Sequence, residues 1–343
     1  MGIRLLIAFA FLMVGVGLPS PGEVQAVEKR VAEKRVVQKG KAKPAVSKSA
    51  KSKAPKKQKI VKGKRRNSNA TAQVSNPGVL AVQSGSALVV EQAGGDALYQ
   101  KNASQVVPIA SITKLMTAMV VLDGSPALHA PIAITDDDVD YLRGSRSRLH
   151  VGSVLSRESA LLLALMSSEN RAANALARHY PGGMPAFLSA MNIKAQALGM
   201  RDTRFEDPTG LTSNNVSTAN DLAKMVVAAY KYPLIREFST TAEATVEVGG
   251  REMAYRNTNP LVRSAAWDVG LSKTGYISEA GKCLVMQARV ADKPVVIVLL
   301  DSAGKLTRVG DANRIKRWME STHASNKGAI HAVAGPLGVR VPG

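Results

Sequence analysis

Ser111-Ile112-Thr113-Lys114 stands at the head of an apolar run, Leu115-Met116-Thr117-Ala118-Met119-Val120-Val121-Leu122, and the reading of the chain turns on it. Leu115, Met116, Met119, Val120 and Leu122 recur at three- and four-residue spacing, which predicts a helix from near Ser111. Asp123-Gly124-Ser125-Pro126 is a stop signal. On that helix Lys114 lies three residues after Ser111, so the two side chains share a face. A serine hydroxyl is a poor nucleophile until a base takes its proton. Lysine is such a base only if its pKa falls, and burial or a second nearby cation pushes it down. Free N–H groups at a helix start also stabilise an oxyanion. Alone, Ser-x-x-Lys is more often a surface pair on an amphipathic helix. It recurs here at Ser302-Ala303-Gly304-Lys305, where an apolar strand precedes it and Gly304 weakens a helix.

Two further motifs change the balance. Ser168-Glu169-Asn170 interrupts the helical stretch Glu158-Ser159-Ala160 to Leu176. Polar residues there mark a break: either a satisfied turn, or a loop tip that aims a hydroxyl and an amide into a cleft. A second Ser-x-Asn, Ser213-Asn214-Asn215, falls in the turn-rich stretch from Pro208 and reads as loop. Lys273-Thr274-Gly275 reads as a strand between short strands. It is either an edge blunted by lysine, or a strand that pairs with an extended peptide while Lys273 and Thr274 read a carboxylate. Gly275 then allows close approach of a ligand, and Lys273 is a candidate for the second cation beside Lys114. The three motifs in order point to acyl transfer through a serine ester.

The formal net charge is +20 over 343 residues, unevenly placed. Residues 27–70 hold 17 Lys and Arg against Glu28 and Glu33 alone, so the charge belongs to a tail. Met1-Gly2-Ile3-Arg4, the apolar run Leu5–Leu18 and Val24-Gln25-Ala26 form a secretory signal over 1–26, an uncleaved anchor being the alternative. Residues 27–78 read as a basic disordered linker: a solvated spacer, or a tether to anionic lipid or wall polymers. The exported setting argues against nucleic acid. The lone Cys283, in an apolar strand, is a core filler rather than a nucleophile. The histidines show no metal spacing, and neither a metal nor another cofactor is expected.

The folded body is expected over 79–325, with 326–343 a disordered tail. Ala87–Glu91 and Ala97–Gln100 form an early hairpin, and Cys283–Val290 and Pro294–Leu300 are late strands. Helices are expected near 184–198 and 218–231, the latter capped by Thr218, and a last one near 311–322. Early strands, central helices, late strands and a final helix predict an α+β fold: one antiparallel sheet flanked by helices, with an all-helical lobe.

From about Ala87 to Glu320 the chain resembles the low-molecular-mass penicillin-binding proteins, serine D-alanyl-D-alanine peptidases of the penicillin-binding protein/β-lactamase-like fold. Pro108–Ala118 is similar to the family's nucleophile segment. Met166–Ala173, Asp207–Leu211, Asn214–Ala219 and Leu271–Tyr276 resemble the D-alanyl-D-alanine endopeptidase branch, penicillin-binding protein 7, whose middle motif reads Ser-Glu-Asn. The Ser-Asp-Asn of β-lactamases differs by one methylene, at a position facing away from substrate. The resemblance implies that Ser111 is acylated, Lys114 accepts its proton and Ser168 relays a proton to the leaving amine. It implies that Asn170 holds the substrate amide, Lys273 and Thr274 orient a carboxylate, and the N–H groups of Ser111 and Tyr276 form the oxyanion hole. Arg308 is the nearest match to the family's carboxylate-binding arginine. The implied partners are peptidoglycan stem peptides and β-lactams, and the implied location is the periplasm or beyond. After Glu320 there is no room for the wider family's C-terminal β-domain and amphipathic helix, which favours a soluble or loosely attached enzyme. Rival readings are a carboxypeptidase, a β-lactamase and a non-catalytic wall-binding protein.

Overall fold

The computed structural model describes residues 80–94 and 96–333. The expected leader over 1–26, the basic linker over 27–78 and residues 334–343 lie outside the described residues. The order of elements is β1 (Ser86–Glu91), β2 (Ala97–Lys101), β3 (Val107–Pro108), α1 (Lys114–Asp123), β4 (Pro131–Ala133), β5 (Val154–Ser156), α2 (Arg157–Met166), α3 (Asn170–Arg178), α4 (Gly183–Ala197), β6 (Val216–Ser217), α5 (Ala219–Ala229), α6 (Pro233–Thr240), β7 (Glu243–Val248), β8 (Arg251–Arg256), β9 (Asp268–Ile277), β10 (Gly281–Val290), β11 (Lys293–Ser302) and α7 (Thr307–Val333). Among the described residues no helix is long and apolar enough to cross a membrane.

One antiparallel sheet in the order β2-β1-β11-β10-β9 organises the body. β1 pairs with β11 in the register Ser86↔Leu300 to Glu91↔Val295, so the early hairpin joins the late strands as expected. Val295–Leu300 of β11 are all buried, because both faces of the sheet are covered. Val296, Val298 and Leu300 enter a core shared with the helices of the middle chain. Val295, Ile297 and Leu299 meet Ala312, Ile315 and Met319 of α7 on the other side. The strand alternates between two cores, with period two. Among the described residues β9 pairs with β10 alone and stands at the edge of the sheet.

The α+β reading holds, and several boundaries move. β9 runs ten residues rather than being short. The last helix is not confined to 311–322: it spans Thr307–Val333, so residues 326–333 are helical rather than disordered. That stretch has no proline before Pro336 and only Gly328 as a weak helix former. The α6 helix and the β7–β8 hairpin were not anticipated. The hairpin turns through Gly249 and Gly250, both at positive φ (56° and 77°), a Gly-Gly signal flanked by alternating Thr-Val-Glu-Val. Both decoy motifs sit elsewhere: Ser302 Oγ is buried 2.7 Å from Ser84 Oγ, and Ser213 lies in a turn. Cys283 is fully buried in β10, where burial pushes its thiol pKa up to about 11.

Candidate active site

Ser111 lies in a 3-10 turn, Ala110–Thr113, that leads directly into α1. Ala110 has φ 48°, a left-handed conformation that costs a non-glycine residue about 1–3 kcal/mol. Two glycines press on this backbone. A Cβ on Gly210 (φ 78°) would lie 1.9 Å from Ala110 O. A Cβ on Gly275 would lie 2.9 Å from Ile109 O and 3.1 Å from Ser111 N. Gly275 is therefore small because β9 passes against the nucleophile's own backbone, as well as for a ligand's approach.

Lys114 is fully buried. Its Nζ donates to Ser111 Oγ (2.9 Å), Asn170 Oδ1 (2.7 Å) and Thr209 O (2.8 Å). Burial lowers its pKa to about 7, against the opposing pull of Asp207 and Glu169. Thr209 was missed from the sequence, since it acts through a carbonyl that every residue has. Asp207 fixes it: its Oδ1 accepts from Thr209 Oγ1 (2.8 Å) and its Oδ2 from Thr212 N (2.8 Å). The buried Asn215 ties this loop to α1's base through Thr113 Oγ1 (3.0 Å).

Ser168 sits in the break between α2 and α3 with φ 63°, again left-handed. Its Oγ accepts from Lys273 Nζ (2.9 Å), which also donates to Thr274 O (2.9 Å). Lys273 is buried, and its pKa lies well below the usual value because of desolvation first, then Lys114 and Arg308. Burial, one of the two expected causes, accounts for the lowered Lys114 pKa. Lys114 in turn depresses Lys273. Asn170 opens α3, and its Nδ2 donates to Ser145 Oγ (2.9 Å), a neighbour not singled out from sequence.

Thr274 Oγ1 donates to Thr258 Oγ1 (2.7 Å). Arg308, in the first turn of α7, donates from Nη1 to Gly275 O and Cys283 O, each at 3.0 Å. Tyr276 is exposed, with Lys282 Nζ 3.9 Å from its ring centroid. Ser111, Ser168, Asn170, Thr274, Gly275, Tyr276 and Arg308 all line one cleft of about 580 Å³, with Arg143, Ser145 and Thr258 beside them. Lys114 and Lys273 stand behind its wall. Glu169 does not line this cleft; its Oε2 accepts from Ser147 Oγ (2.7 Å) on the other side of the turn.

A serine bonded to a buried lysine of lowered pKa, with a second Ser–Lys pair across the cleft, defines a serine hydrolase in which lysine takes the role histidine plays elsewhere. The chain belongs to the Peptidase S11 family, D-alanyl-D-alanine carboxypeptidase, whose family model matches residues 70–304. It is 52% identical over 240 residues to the D-alanyl-D-alanine endopeptidase of Pseudomonas aeruginosa, covering 69% of this chain and 77% of that one. The D-alanyl-D-alanine endopeptidase of Escherichia coli is 48% identical over 242 residues, covering 70% and 78%. The crystal structure of the Streptomyces K15 DD-transpeptidase superposes with a TM-score of 0.65 at 30% identity, covering 69% of this chain and 97% of that one.

Proposed function

We propose that this chain hydrolyses the D-alanyl cross-links of peptidoglycan through an acyl-enzyme on Ser111, and that β-lactams block it by acylating the same oxygen. The observation that carries the reading is the partner set of Lys114. Asn170 Oδ1 and Thr209 O can only accept hydrogen bonds, whereas Ser111 Oγ can also donate. A neutral amine has two N–H bonds and one lone pair. With the two N–H bonds given to the obligate acceptors, the lone pair is left for the Ser111 hydroxyl. With a pKa of about 7, roughly half of Lys114 is in that form at neutral pH.

In the proposed sequence the Ser111 O–H proton passes to Lys114 Nζ as Oγ bonds to the scissile carbonyl carbon. The oxyanion meets the N–H groups of Ser111 and Tyr276, a pairing supported by the close approach of Gly275 to Ser111 N. The C–N bond then breaks, and the leaving amine takes its proton through Ser168, backed by Lys273. Water attacks the ester, and Ser111 leaves with a proton. The peptide lies along the free edge of β9. Asn170 exchanges its Ser145 partner for a substrate amide, while Lys273 and Thr274 offer hydrogen-bond donors and Arg308 a positive charge toward a carboxylate. The apolar leader puts the enzyme in the periplasm or outside the cell, and the basic linker is its spacer or its tether to anionic polymers.

Among the described residues no carboxylate lines the cleft to activate a deacylating water, which argues against a β-lactamase. The test is to incubate the protein and its Ser111→Ala variant with a fluorescent penicillin and run a denaturing gel. Stable label on the wild type alone is expected; label on both, or on neither, sinks the reading. The family's carboxypeptidase members keep a second reading open. Product analysis separates the two: release of alanine from pentapeptide monomer without cleavage of a cross-linked dimer would make this chain a carboxypeptidase.

A further inference from the structure

A cavity of about 1060 Å³ lies on the far side of the Ser168 turn. Three stretches of chain line both spaces. In the first, Ser145 lines the cleft and Arg146–Arg148 line the cavity. At the turn, Ser168 and Asn170 line the cleft, while Ser167 and Glu169 line the cavity. At the end of β8, Tyr255 and Arg256 line the cavity and Thr258 the cleft. Successive Cα atoms are about 3.8 Å apart, so the ridge between the two spaces is on the order of one residue wide.

Among the side chains that line the cavity, Arg146 and Tyr255 hold donor groups without a partner. The cavity's two carboxylates already have partners: Glu169 accepts from Ser147, and Glu243 pairs with Arg256 at 3.3 Å. Arg148 donates to Ala254 O (2.7 Å) and stacks 3.7 Å over the Tyr255 ring. Arg146 is exposed and makes no hydrogen bond or ion pair among the described residues. Tyr255 is 1% exposed, and its Oη is buried without a partner. Desolvation and the Glu169 charge push the Tyr255 pKa up to about 12, so its hydroxyl remains a donor. A buried donor without an acceptor costs about 1–3 kcal/mol, and a guanidinium matches a carboxylate in fork geometry.

We propose that this cavity receives a carboxylate-bearing part of the second peptide strand of a cross-linked substrate, with Arg146 and Tyr255 Oη as its donors. The inference rests on the endopeptidase reading and deepens it. One strand lies in the cleft at Ser111. The strand joined to it crosses the Ser168 ridge and is read by charge on the far side. A monomeric stem peptide fills the cleft alone, so the cavity makes the enzyme prefer cross-linked material.

The test compares kcat/KM on a cross-linked peptide dimer with that on the same dimer carrying amidated carboxylates on the second strand. The wild type is expected to prefer the carboxylate form. Arg146→Ala, at an exposed and unpaired position, lowers that preference about tenfold, the worth of one charge-assisted hydrogen bond. Arg146→Lys restores part of it, and Tyr255→Phe reduces it without altering the fold. Equal loss on both dimers, or no change in their ratio, overturns the inference while leaving the endopeptidase reading intact. A wild type that takes penicillin label but cleaves neither dimer overturns both.

Discussion

The cleft and the cavity share three stretches of chain, yet their cations are used in opposite ways. Lys114 and Lys273 are buried behind the cleft, and burial drives both pKa values down. Arg146 and Arg148 line the cavity at the surface. Lysine gives up its proton when desolvated, and arginine does not. The residue type on each side of the ridge therefore separates a place that moves protons from one that holds anions. Arg308 tests the rule from inside the cleft. Burial lowers its pKa too, but its Nη1 is spent on two carbonyls, and it stays a cation that shapes Lys273 rather than a base.

Exchanging the two cation types breaks the comparison most sharply. Lys114→Arg keeps a positive charge beside Ser111 but cannot accept its proton. Acylation by a fluorescent penicillin is expected to slow by about 10³-fold, the usual worth of a general base. A rate within tenfold of wild type would mean that charge, not basicity, is what Ser111 needs.

The pH dependence comes next. The base must be neutral, and Lys114 is protonated below its pKa of about 7. The acylation rate should fall about tenfold per unit on the acid side, reaching roughly fifty- to a hundredfold by pH 5, and level off above pH 7 to 8. Labelling time courses across pH 5–9 with one penicillin measure this. A profile flat through pH 7 would remove Lys114 as the base.

The glycines of the two regions give a smaller, thermodynamic contrast. Gly210→Ala sets a Cβ 1.9 Å from Ala110 O at a φ of 78°, so the nucleophile's backbone or the Thr209 loop must move. A loss of about 3 kcal/mol is expected from strain and lost packing together. Gly249→Ala, at the tip of the hairpin that walls the cavity, meets nothing within 4 Å and pays only for its φ of 56°. About 1 kcal/mol is expected there. Urea denaturation of both variants checks the order, and equal losses would show that the clamp on Ala110 stores no strain.

Side-chain chemistry was legible in the sequence to the extent that it is written in residue types. Ser111, Lys114, Ser168, Asn170, Lys273 and Thr274 could be named because the motifs carry them, and the fold brings all six together. The joining of β1 to β11 followed from patterning, since neither strand could bury its apolar residues alone. Thr209 was not legible, because a carbonyl has no residue signature; only the turn-rich setting after Pro208 marked the place. How deeply the two lysines are buried was hidden too, as it depends on the tertiary packing around them. The β7–β8 hairpin could have been found from Gly249-Gly250 between alternating strands, and with it the cavity.

Glu169 is where the two regions touch, and it yields the finest prediction. Its carboxylate belongs to the cavity, but its field reaches Lys114 through the ridge and raises that pKa. Glu169→Gln keeps an acceptor for Ser147 Oγ and removes only the charge. The Lys114 ammonium then loses a stabilising partner, so its pKa falls further and the acid limb of the acylation profile moves to lower pH by a fraction of a unit. The plateau rate should hold, because Glu169 does not line the cleft. A limb that moves to higher pH would contradict the sign of the coupling, and an unmoved limb would mean that Asp207 alone opposes the burial of Lys114. If the shift is found, the middle residue of Ser168-Glu169-Asn170 sets the working pH of a base it never touches, and an anionic peptide strand entering the cavity would act on the base in the same direction as Glu169.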